Sequence, residues 1–426
     1  YSLGVRESML WENTEHSASE ATLQYTMEPK AYENRFLPYD VLTNLAHVTM
    51  LHRQGFLDDG ELAALRNALT DLYHEADEVE GEDVHTFVEE RVTRRTEAGK
   101  RMHLARSRND QVFVDTRLFM KDAAIDLAHR ILDFADALRT FAEEKNALIP
   151  GYTHQQQAMP SSTGLWASSY VDALIDDLKS LRATYRIVDA NPLGAAASYG
   201  TSLDIDRDLT TELLGFSQKQ HNPIYCSNRG KQELQLLQTL DLVMLDVQKF
   251  AEDVINFSED QQFFELADDY TTGSSIMPQK RNPDILELAR AKAEEVSAGK
   301  EAVRRIIGKL PSGYNRDSQQ TKGHLIEGVD TVRATLDILT PLVESMELSD
   351  DFEVDAGIFA AYTANQLVTE GMPFRDAYHE VKSSGEYETH DAVAEPVHQP
   401  FGDLRAFWAD EREAFDAMSE RLLTAD

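Results

Sequence analysis

One polar segment of the chain contains residue types that suit acid–base chemistry. Residues 272–284 read Thr-Gly-Ser-Ser-Ile-Met-Pro-Gln-Lys-Arg-Asn-Pro-Asp. The glycine and prolines predict a loop between two helices, and Asp284 suits the start of the second helix. A serine acts as a base only where its alkoxide is stabilised, and for Ser274 the donors would be Lys280, Asn282 and backbone N–H groups. The segment is therefore interpreted either as a catalytic loop or as a structural turn.

Another polar segment precedes a long apolar helix. Ser107, Arg108 and Asn109 lie before a helix that we expect to start near Val112. An arginine fork and amide donors match a carboxylate ligand. The alternative is a polar turn in which Asn109 or Asp110 serves as the helix N-cap.

A lone histidine and a further polar loop are weaker signals. His154 follows Pro150 in the predicted loop between the first two long helices. A histidine in such a place is more often structural than catalytic, even though imidazole suits proton transfer near neutral pH. Residues 313–322 form either an ordinary polar loop ahead of a helix or a ligand-binding segment.

The loop at 272–284 resembles the Gly-Ser-Ser-x-Met-Pro-x-Lys-x-Asn segment of the fumarase and aspartase superfamily. In that superfamily the first serine removes a proton from the carbon beside a carboxylate, which implies this role for Ser274. The resemblance also implies that Lys280 and Asn282 contact the carboxylate on which negative charge develops. It identifies the segment as a catalytic loop.

Other segments resemble those of the argininosuccinate lyases within this superfamily. The Arg-Ser-Arg-Asn-Asp-Gln run at 106–111 implies that Ser107, Arg108 and Asn109 hold a substrate carboxylate. The Gly-Tyr-Thr-His-x-Gln run at 151–156 similarly implies that two of its residues, Thr153 and His154, contact substrate.

The remaining site residues also follow from the resemblance. Glu287 is the expected partner that orients the imidazole of His154 and raises its pKa. Tyr314, Gln319 and Lys322 match the segment that holds the amino-acid end of argininosuccinate. Segments 82–85 and 227–229 also resemble family segments, whereas residues 25–30 lack the serine that the family often places there.

Together these segments predict an argininosuccinate lyase reaction, in which argininosuccinate is split to arginine and fumarate in arginine biosynthesis. Ser274 would start a β-elimination through an aci-carboxylate intermediate, and His154 would protonate the departing nitrogen. No cofactor or metal is required. The alternatives are a fumarate-releasing lyase for another N-substituted aspartate, and a non-catalytic structural protein on the same scaffold.

Apolar residues at alternating steps of three and four predict four long helices. The runs span 120–141, 167–188, 237–254 and 325–346, and Pro341 is expected to kink or end the last of them. Alternating apolar strands are rare. The predicted fold is therefore all-α, a long-helix bundle of the fumarase and aspartase type with smaller N- and C-terminal helical domains.

We expect three domains, with boundaries at 1–100, 101–355 and 356–426. Leu236, Leu242 and Val243 lie beside the main apolar stripe of their helix, which indicates a second buried face. The family resemblance implies a homotetramer with active sites shared between subunits, and that assembly would cover such faces.

Composition excludes several classes of protein. The 41 Lys and Arg against 75 Asp and Glu give a net charge of −34, so nucleic acid is not expected as a partner. This charge suggests a salt-loving source, the alternative being a merely acidic enzyme. Cys226 is the only cysteine, no apolar run is long enough for a membrane span, and Tyr1–Gly4 do not begin a signal sequence. We therefore expect a cytoplasmic enzyme that acts on a small molecule.

Overall fold

The computed structural model describes residues 20–27, 29–75, 78–227, 230–349, 352–390 and 392–424 of the chain. Outside these ranges lie Tyr1–Gly4, for which no signal sequence is predicted, and also Asn228, Arg229, Asp350 and Asp351. Within the described ranges helices form most of the fold, so the predicted all-α class is confirmed.

Helices of up to 17 residues form the N-terminal part of the described chain. Their bounds are α1 (Glu20–Thr26), α2 (Lys30–Asn34), α3 (Leu37–Arg53), α4 (Asp59–Glu75) and α5 (Val84–Arg95). Asp83 caps α5, because its carboxylate accepts the N–H of Thr86 at 2.7 Å. This cap holds the chain beside the site described below.

Long helices form the centre. Their bounds, with two short helices between them, are α6 (Arg108–Glu144), α7 (Thr163–Val188), α8 (Arg207–Leu213), α9 (Pro223–Cys226), α10 (Lys231–Ile255), α11 (Asp284–Ile307) and α12 (Thr321–Ser345). The four predicted runs lie in α6, α7, α10 and α12, with the last run ending one residue beyond its helix. These four helix predictions are confirmed, and α11 adds a fifth long helix that begins at Asp284 as expected.

One predicted detail of these helices is wrong. Helix α6 begins at Arg108, four residues before the predicted start, and its N-cap is Ser107. Ser107 has extended backbone angles, and the carboxylate of Asp110 accepts its N–H at 2.9 Å, which completes a capping box. Helix α12 does not end at Pro341 but continues to Ser345, so a kink at Pro341 is the part of that expectation that stays a prediction.

A β-hairpin replaces the loop predicted between the first two long helices. Strand β1 (Leu148–Thr153) pairs antiparallel with β2 (Gln156–Ser162). The turn consists of His154 and Gln155, whose φ angles of 52° and 61° are both in the left-handed region. Positive φ at both turn residues is the requirement of a type I′ hairpin turn, which suits the twist of the strands. The hairpin therefore carries His154 at its tip.

The other described strands contain two residues each and form three pairs. Their bounds are β3 (Ala190–Asn191), β4 (Gln218–Lys219), β5 (Phe264–Glu265), β6 (Thr272–Gly273), β7 (Arg281–Asn282) and β8 (Glu347–Leu348). Strands β3 and β4 pair parallel, while β5 with β8 and β6 with β7 pair antiparallel. The β6–β7 pair closes the loop that contains Ser274.

The C-terminal part contains α13 (Ala360–Thr369), α14 (Phe374–Ser384) and α15 (Gly402–Thr424). Helix α15 packs into the large apolar core of the central and N-terminal helices through the buried ring of Trp408. Helices α13 and α14 share a separate small cluster of Ala364, Ala377 and Val381. The three predicted domain boundaries stay a prediction. None of the described helices is long and apolar enough to cross a membrane.

Candidate active site

A narrow cleft lies where the start of α6 meets the segment before α12 and the N-terminal helices. It brings together five of the predicted substrate-binding residues: Arg108, Asn109, Tyr314, Gln319 and Lys322. Its other lining residues were given no role by sequence analysis: Thr26, Glu33, Glu82, Asp83, His85, Val112 and Arg316. The cleft is thus lined by charged groups of both signs.

The capping box places Arg108 and Asn109 at the first two positions of α6. Ser107 is occupied as the N-cap, because its hydroxyl oxygen accepts the N–H of Asn109 at 3.3 Å. Asp110 holds the facing loop, since its second carboxylate oxygen accepts the N–H groups of Gly194 at 3.0 Å and Ala196 at 2.9 Å. The start of α6 is therefore rigidly anchored.

The guanidinium of Arg108 makes only long polar contacts within the described residues. It donates to the hydroxyl of Thr86 at 3.2 Å and lies 3.7 Å from Asp83 and 3.8 Å from Glu89. Its buried Nη1 has no hydrogen-bond partner among the described residues. Arg108 lines the cleft, and a guanidinium group there suits a carboxylate ligand.

Lys322 differs from the expectation, because its ammonium group is already paired. Nζ of Lys322 lies 2.5 Å from Oε1 of Glu33, and both side chains are buried. Burial alone would raise the pKa of Glu33, but the charge of Lys322 and the hydrogen bonds from Lys322 and from the N–H of Val84 outweigh it and lower that pKa. Any substrate group bound by Lys322 must share it with Glu33.

The segment before α12 is held in place by hydrogen bonds and a ring contact. The N–H of Tyr314 donates to the hydroxyl of Ser198 at 3.2 Å, and the Tyr314 ring lies 6.5 Å from that of Phe113. Gln319 accepts a hydrogen bond from the guanidinium of Arg316 at 3.1 Å. These contacts hold both side chains along the wall of the cleft.

The serine loop does not line this cleft. Oγ of Ser274 accepts the N–H of Met277 at 3.1 Å and lies 3.4 Å from the N–H of Ile276. Lys280 is exposed, and Asn282 lies in β7. The serine oxygen is therefore an acceptor for backbone N–H groups, the arrangement that stabilises an alkoxide.

The hairpin tip and the start of α11 form a third location. Thr153, His154 and Glu287 are all exposed, and none of them lines the cleft. In the described part of the chain His154 and Glu287 form neither a hydrogen bond nor an ion pair, so the expected pairing does not occur within this chain. Seven predicted site residues therefore do not line the cleft. Four of them are the predicted catalytic residues Ser274, His154, Glu287 and Lys280, and three are the predicted binding residues Ser107, Thr153 and Asn282.

Comparison with known proteins decides the family. The family model described as "Lyase" matches residues 65–298. A protein of Phocaeicola vulgatus named argininosuccinate lyase is 39% identical over 377 residues, which cover 85% of this chain and 84% of that protein. One of Stenotrophomonas maltophilia with the same name is 40% identical over 359 residues, covering 81% and 83%. The chain belongs to the argininosuccinate lyase family. The predicted enzyme class, a carbon–nitrogen lyase, is confirmed by this membership.

Solved structures of other proteins have the same fold as this member of the argininosuccinate lyase family. An EDDS lyase in complex with formate has a TM-score of 0.75 at 20% identity and covers 94% of this chain and 93% of that chain. A class II fumarase from Schistosoma mansoni has a TM-score of 0.72 at 14% identity, covering 96% and 93%. At these identities the likeness shows the fold alone, and it confirms the predicted long-helix bundle.

Sequence reasoning missed several residues of the cleft. Thr26 lines it although no contact was assigned within residues 25–30, of which Glu28 lies outside the described ranges. His85 belongs to a segment that resembles the family, so that resemblance was an available signal. No sequence signal pointed to Glu33, because the residue it pairs with, Lys322, is 289 positions away.

The segment at 227–229 remains without an assigned role. Ser227 is buried and its hydroxyl donates to the carbonyl oxygen of Pro223 at 3.1 Å. Asn228 and Arg229 lie outside the described residues.

Proposed function

We propose that this enzyme splits argininosuccinate into arginine and fumarate, with Ser274 as the base. The observation that carries the base assignment is the hydrogen bonding of its oxygen, which accepts the N–H of Met277 at 3.1 Å. Backbone donors of this kind stabilise a serine alkoxide more than the neutral hydroxyl. The oxygen is thereby suited to remove a proton from the carbon beside a substrate carboxylate.

The other predicted residues complete an elimination in which charges and protons balance. Ser274 takes the proton, and the electron pair moves into the carboxylate, whose charge Lys280 and Asn282 stabilise. When the carbon–nitrogen bond breaks, the pair forms the double bond of fumarate. His154, oriented by Glu287, supplies the proton that the departing guanidino nitrogen receives.

The cleft is the proposed place for the rest of the substrate. Arg108 and Asn109 would bind a carboxylate there, with Ser107 fixing their position and Thr153 contributing from the hairpin. The amino-acid end is assigned to residues of the segment before and within α12: Tyr314, Gln319 and Lys322. The guanidinium of Arg108, a residue that lines the cleft, supports the carboxylate assignment.

We further propose a homotetramer in which the cleft of one subunit is completed by the serine loop and hairpin tip of others. Two observations support it. The predicted catalytic groups project from exposed elements that do not line the cleft of their own chain. Apolar side chains are also exposed on the long helices, among them Leu242, Leu245, Leu288 and Ile338. Burial between subunits would remove this apolar area from water.

We also propose where the enzyme works, how its chain divides into domains and which environment its surface suits. The enzyme would work in the cytoplasm on a small-molecule substrate, without nucleic acid or membrane as partners. Its chain would divide at about residues 100 and 355. Its acidic surface, at a net charge of −34, would suit a salt-rich environment.

The test is an assay of the purified protein in molar salt with argininosuccinate, following the absorbance of fumarate. Formation of fumarate and arginine in equal amounts is the expected result. Turnover of another N-succinyl compound without turnover of argininosuccinate would favour the first alternative. Absence of turnover with every such compound would favour a structural protein.

A further inference from the structure

A short loop joins two walls of the cleft, and the mechanism above does not use it. Residues 192–200, the connecting loop, follow strand β3. At one end of the loop, the carboxylate of Asp110 in α6 accepts the N–H groups of Gly194 at 3.0 Å and Ala196 at 2.9 Å. At the other end, the hydroxyl of Ser198 accepts the N–H of Tyr314 at 3.2 Å. The connecting loop therefore links the start of α6 to the segment before α12.

Further hydrogen bonds fix the shape of the connecting loop. The N–H of Gly200 donates to the carbonyl oxygen of Ala195 at 2.9 Å, which closes the loop on itself. The guanidinium of Arg207, at the start of α8, donates to the carbonyl oxygen of Leu193 at 2.7 Å. Because the loop is bonded internally and at its flanks, a displacement of one wall is transmitted to the other.

Two residues of the connecting loop have an unfavourable backbone conformation. The φ angles of Ala196 and Ser198 are 49° and 78°, both in the left-handed region although neither residue is glycine. Both are buried, with 9% and 1% of their surface exposed. Such conformations cost free energy, persist only where the surroundings enforce them, and concentrate at functional sites. At Ser198 this conformation accompanies the hydrogen bond to the wall of the cleft.

The connecting loop approaches the segment before α12 closely. Gly313 has a φ of 90°, and a Cβ atom at this position would lie 3.2 Å from the hydroxyl of Tyr199 and 4.0 Å from that of Ser198. The absence of a side chain at Gly313 thus leaves room for the loop. The next residue, Tyr314, lines the cleft, whereas Ser198 does not. The contact of Ser198 therefore ends on the backbone of a residue of the cleft.

We propose that Ser198 is a positioning residue for Tyr314, and that the connecting loop sets the separation of Tyr314 from Arg108 across the cleft. This inference rests on the proposed function, in which both of these cleft residues contact substrate. Ser198 takes no part in proton transfer and touches no substrate. It acts only through the N–H of Tyr314, so its effect on substrate binding requires the side chain of Tyr314.

A double-substitution cycle tests this dependence. Wild type, Ser198→Ala, Tyr314→Ala and the double variant are compared by KM and kcat for argininosuccinate and by thermal unfolding. Ser198→Ala removes the acceptor for the N–H of Tyr314 and keeps the rest of the loop. Ala196→Gly is the control, because it changes the same loop without removing a side-chain hydrogen bond, and glycine suits the φ angle there.

The expected result is that Ser198→Ala raises KM about 3- to 10-fold, as for the loss of one hydrogen bond, with a smaller change in kcat. In the Tyr314→Ala background the same substitution should change KM by less than about twofold, because the side chain that it positions is gone. Ala196→Gly should keep KM within about twofold of wild type. A merely structural role would lower the unfolding temperature without this dependence of KM on Tyr314.

Other outcomes overturn the inference. If Ser198→Ala keeps the wild-type KM, its hydroxyl has no role in binding. If Ser198→Ala raises KM by the same factor with and without the side chain of Tyr314, it does not act through that residue. If Ala196→Gly raises KM as much as Ser198→Ala does, the loop is responsible and the hydroxyl is not.

A second variant covers a failure to fold. If Ser198→Ala does not fold, Ser198→Gly takes its place in the cycle, because glycine adopts a φ of 78° without strain, and the same outcomes apply. Failure of both variants to fold would make Ser198 a structural residue and overturn the inference. A wild-type enzyme that does not turn over argininosuccinate would instead overturn the proposed function, before any variant is compared, and this inference with it.

Discussion

The surroundings of Ser274 suit the base that we propose this residue to be. Its oxygen is an acceptor for the N–H of Met277, and the loop is closed by the pairing of β6 with β7. We predict that Ser274→Ala lowers turnover of argininosuccinate by roughly 10²- to 10⁴-fold, as expected when a positioned acid or base is removed. The rate of fumarate formation measures this.

Ser275→Ala is the matched control, because Ser275 is adjacent but is assigned no proton transfer. It should reduce turnover much less. Binding of argininosuccinate to Ser274→Ala, measured by calorimetry, should persist because Arg108 and Asn282 remain. Near-normal turnover of Ser274→Ala would place the base elsewhere.

The buried pair of Glu33 and Lys322 supports a second prediction. Glu33→Gln leaves the ammonium of Lys322 in the core without its carboxylate. Breaking a buried pair in this way typically lowers the free energy of unfolding by about 3–5 kcal/mol. Urea unfolding at constant salt should detect this loss.

Lys100→Met is the control for that measurement. Lys100 pairs with Glu97 at 2.5 Å, but both side chains are exposed. Removing an exposed pair should change the free energy of unfolding by less than about 1 kcal/mol. Equal effects of the two substitutions would show that burial of the Glu33 pair has no special importance.

At the scale of elements, α7 and α10 contact each other through polar side-chain pairs, which recur every seven residues along each helix. The hydroxyls of Thr184 and Thr239 lie 2.9 Å apart, and Tyr170 donates to Asp253 at 2.6 Å. Between these pairs, at the same spacing, Asp177 faces the charge of Asp246. Burial, and then the charges of Asp246 and Asp176, raise the pKa of Asp177 to about 8.

This raised pKa predicts a pH dependence of stability. The neutral form of Asp177 stabilises the folded state fully below about pH 4, the ordinary value for an aspartate, and the contribution is lost as pH rises through about 8. Asp177→Asn should remove most of this loss. We expect its unfolding temperature to exceed that of wild type by roughly 2–4 °C at pH 9.

The comparison requires thermal unfolding of both proteins from pH 5 to pH 9 at constant salt. Asp133→Asn is the control, because Asp133 is exposed and its charge is not among those that raise the pKa of Asp177. A wild-type protein whose unfolding temperature falls no more than that of Asp177→Asn over this range would contradict the assignment.

At the scale of the whole molecule, we expect the proposed assembly to depend on the salt concentration. We predict a tetramer of about four times 48.0 kDa in molar salt. Dilution into low salt should favour dissociation, because the charge of −34 on each chain is then less screened. Light scattering measures both, and a stable monomer in molar salt would contradict the proposal.

Leu288→Asp tests the proposal that subunits meet through the long helices. Leu288 lies on α11 with 58% of its surface exposed, and a charge there should weaken a contact between long helices. Val397→Asp is the control, because Val397 is 66% exposed but lies outside those helices. Leu288→Asp should dissociate and lose turnover together, whereas Val397→Asp should do neither.

The sequence by itself determined the class of fold and most of the helices. Apolar residues three and four positions apart form one stripe only on a helix, so the pattern in 120–141 locates α6 without any tertiary contact. The start of α6 was harder, because Ser107, Asn109 and Asp110 are all good caps and backbone geometry decides among them. The loop at 272–284 was also visible, since its residue types and their spacing are local.

Only the tertiary structure decided which residues share the cleft. Glu33 and Lys322 are 289 positions apart, and Ser198 is 116 from Tyr314. No local pattern encodes such pairs, because they depend on how helices pack after each has formed. The hairpin at 148–162 was missed for a related reason: its pairing depends on the register between two strands, which a proline and a glycine in β1 obscure in the sequence.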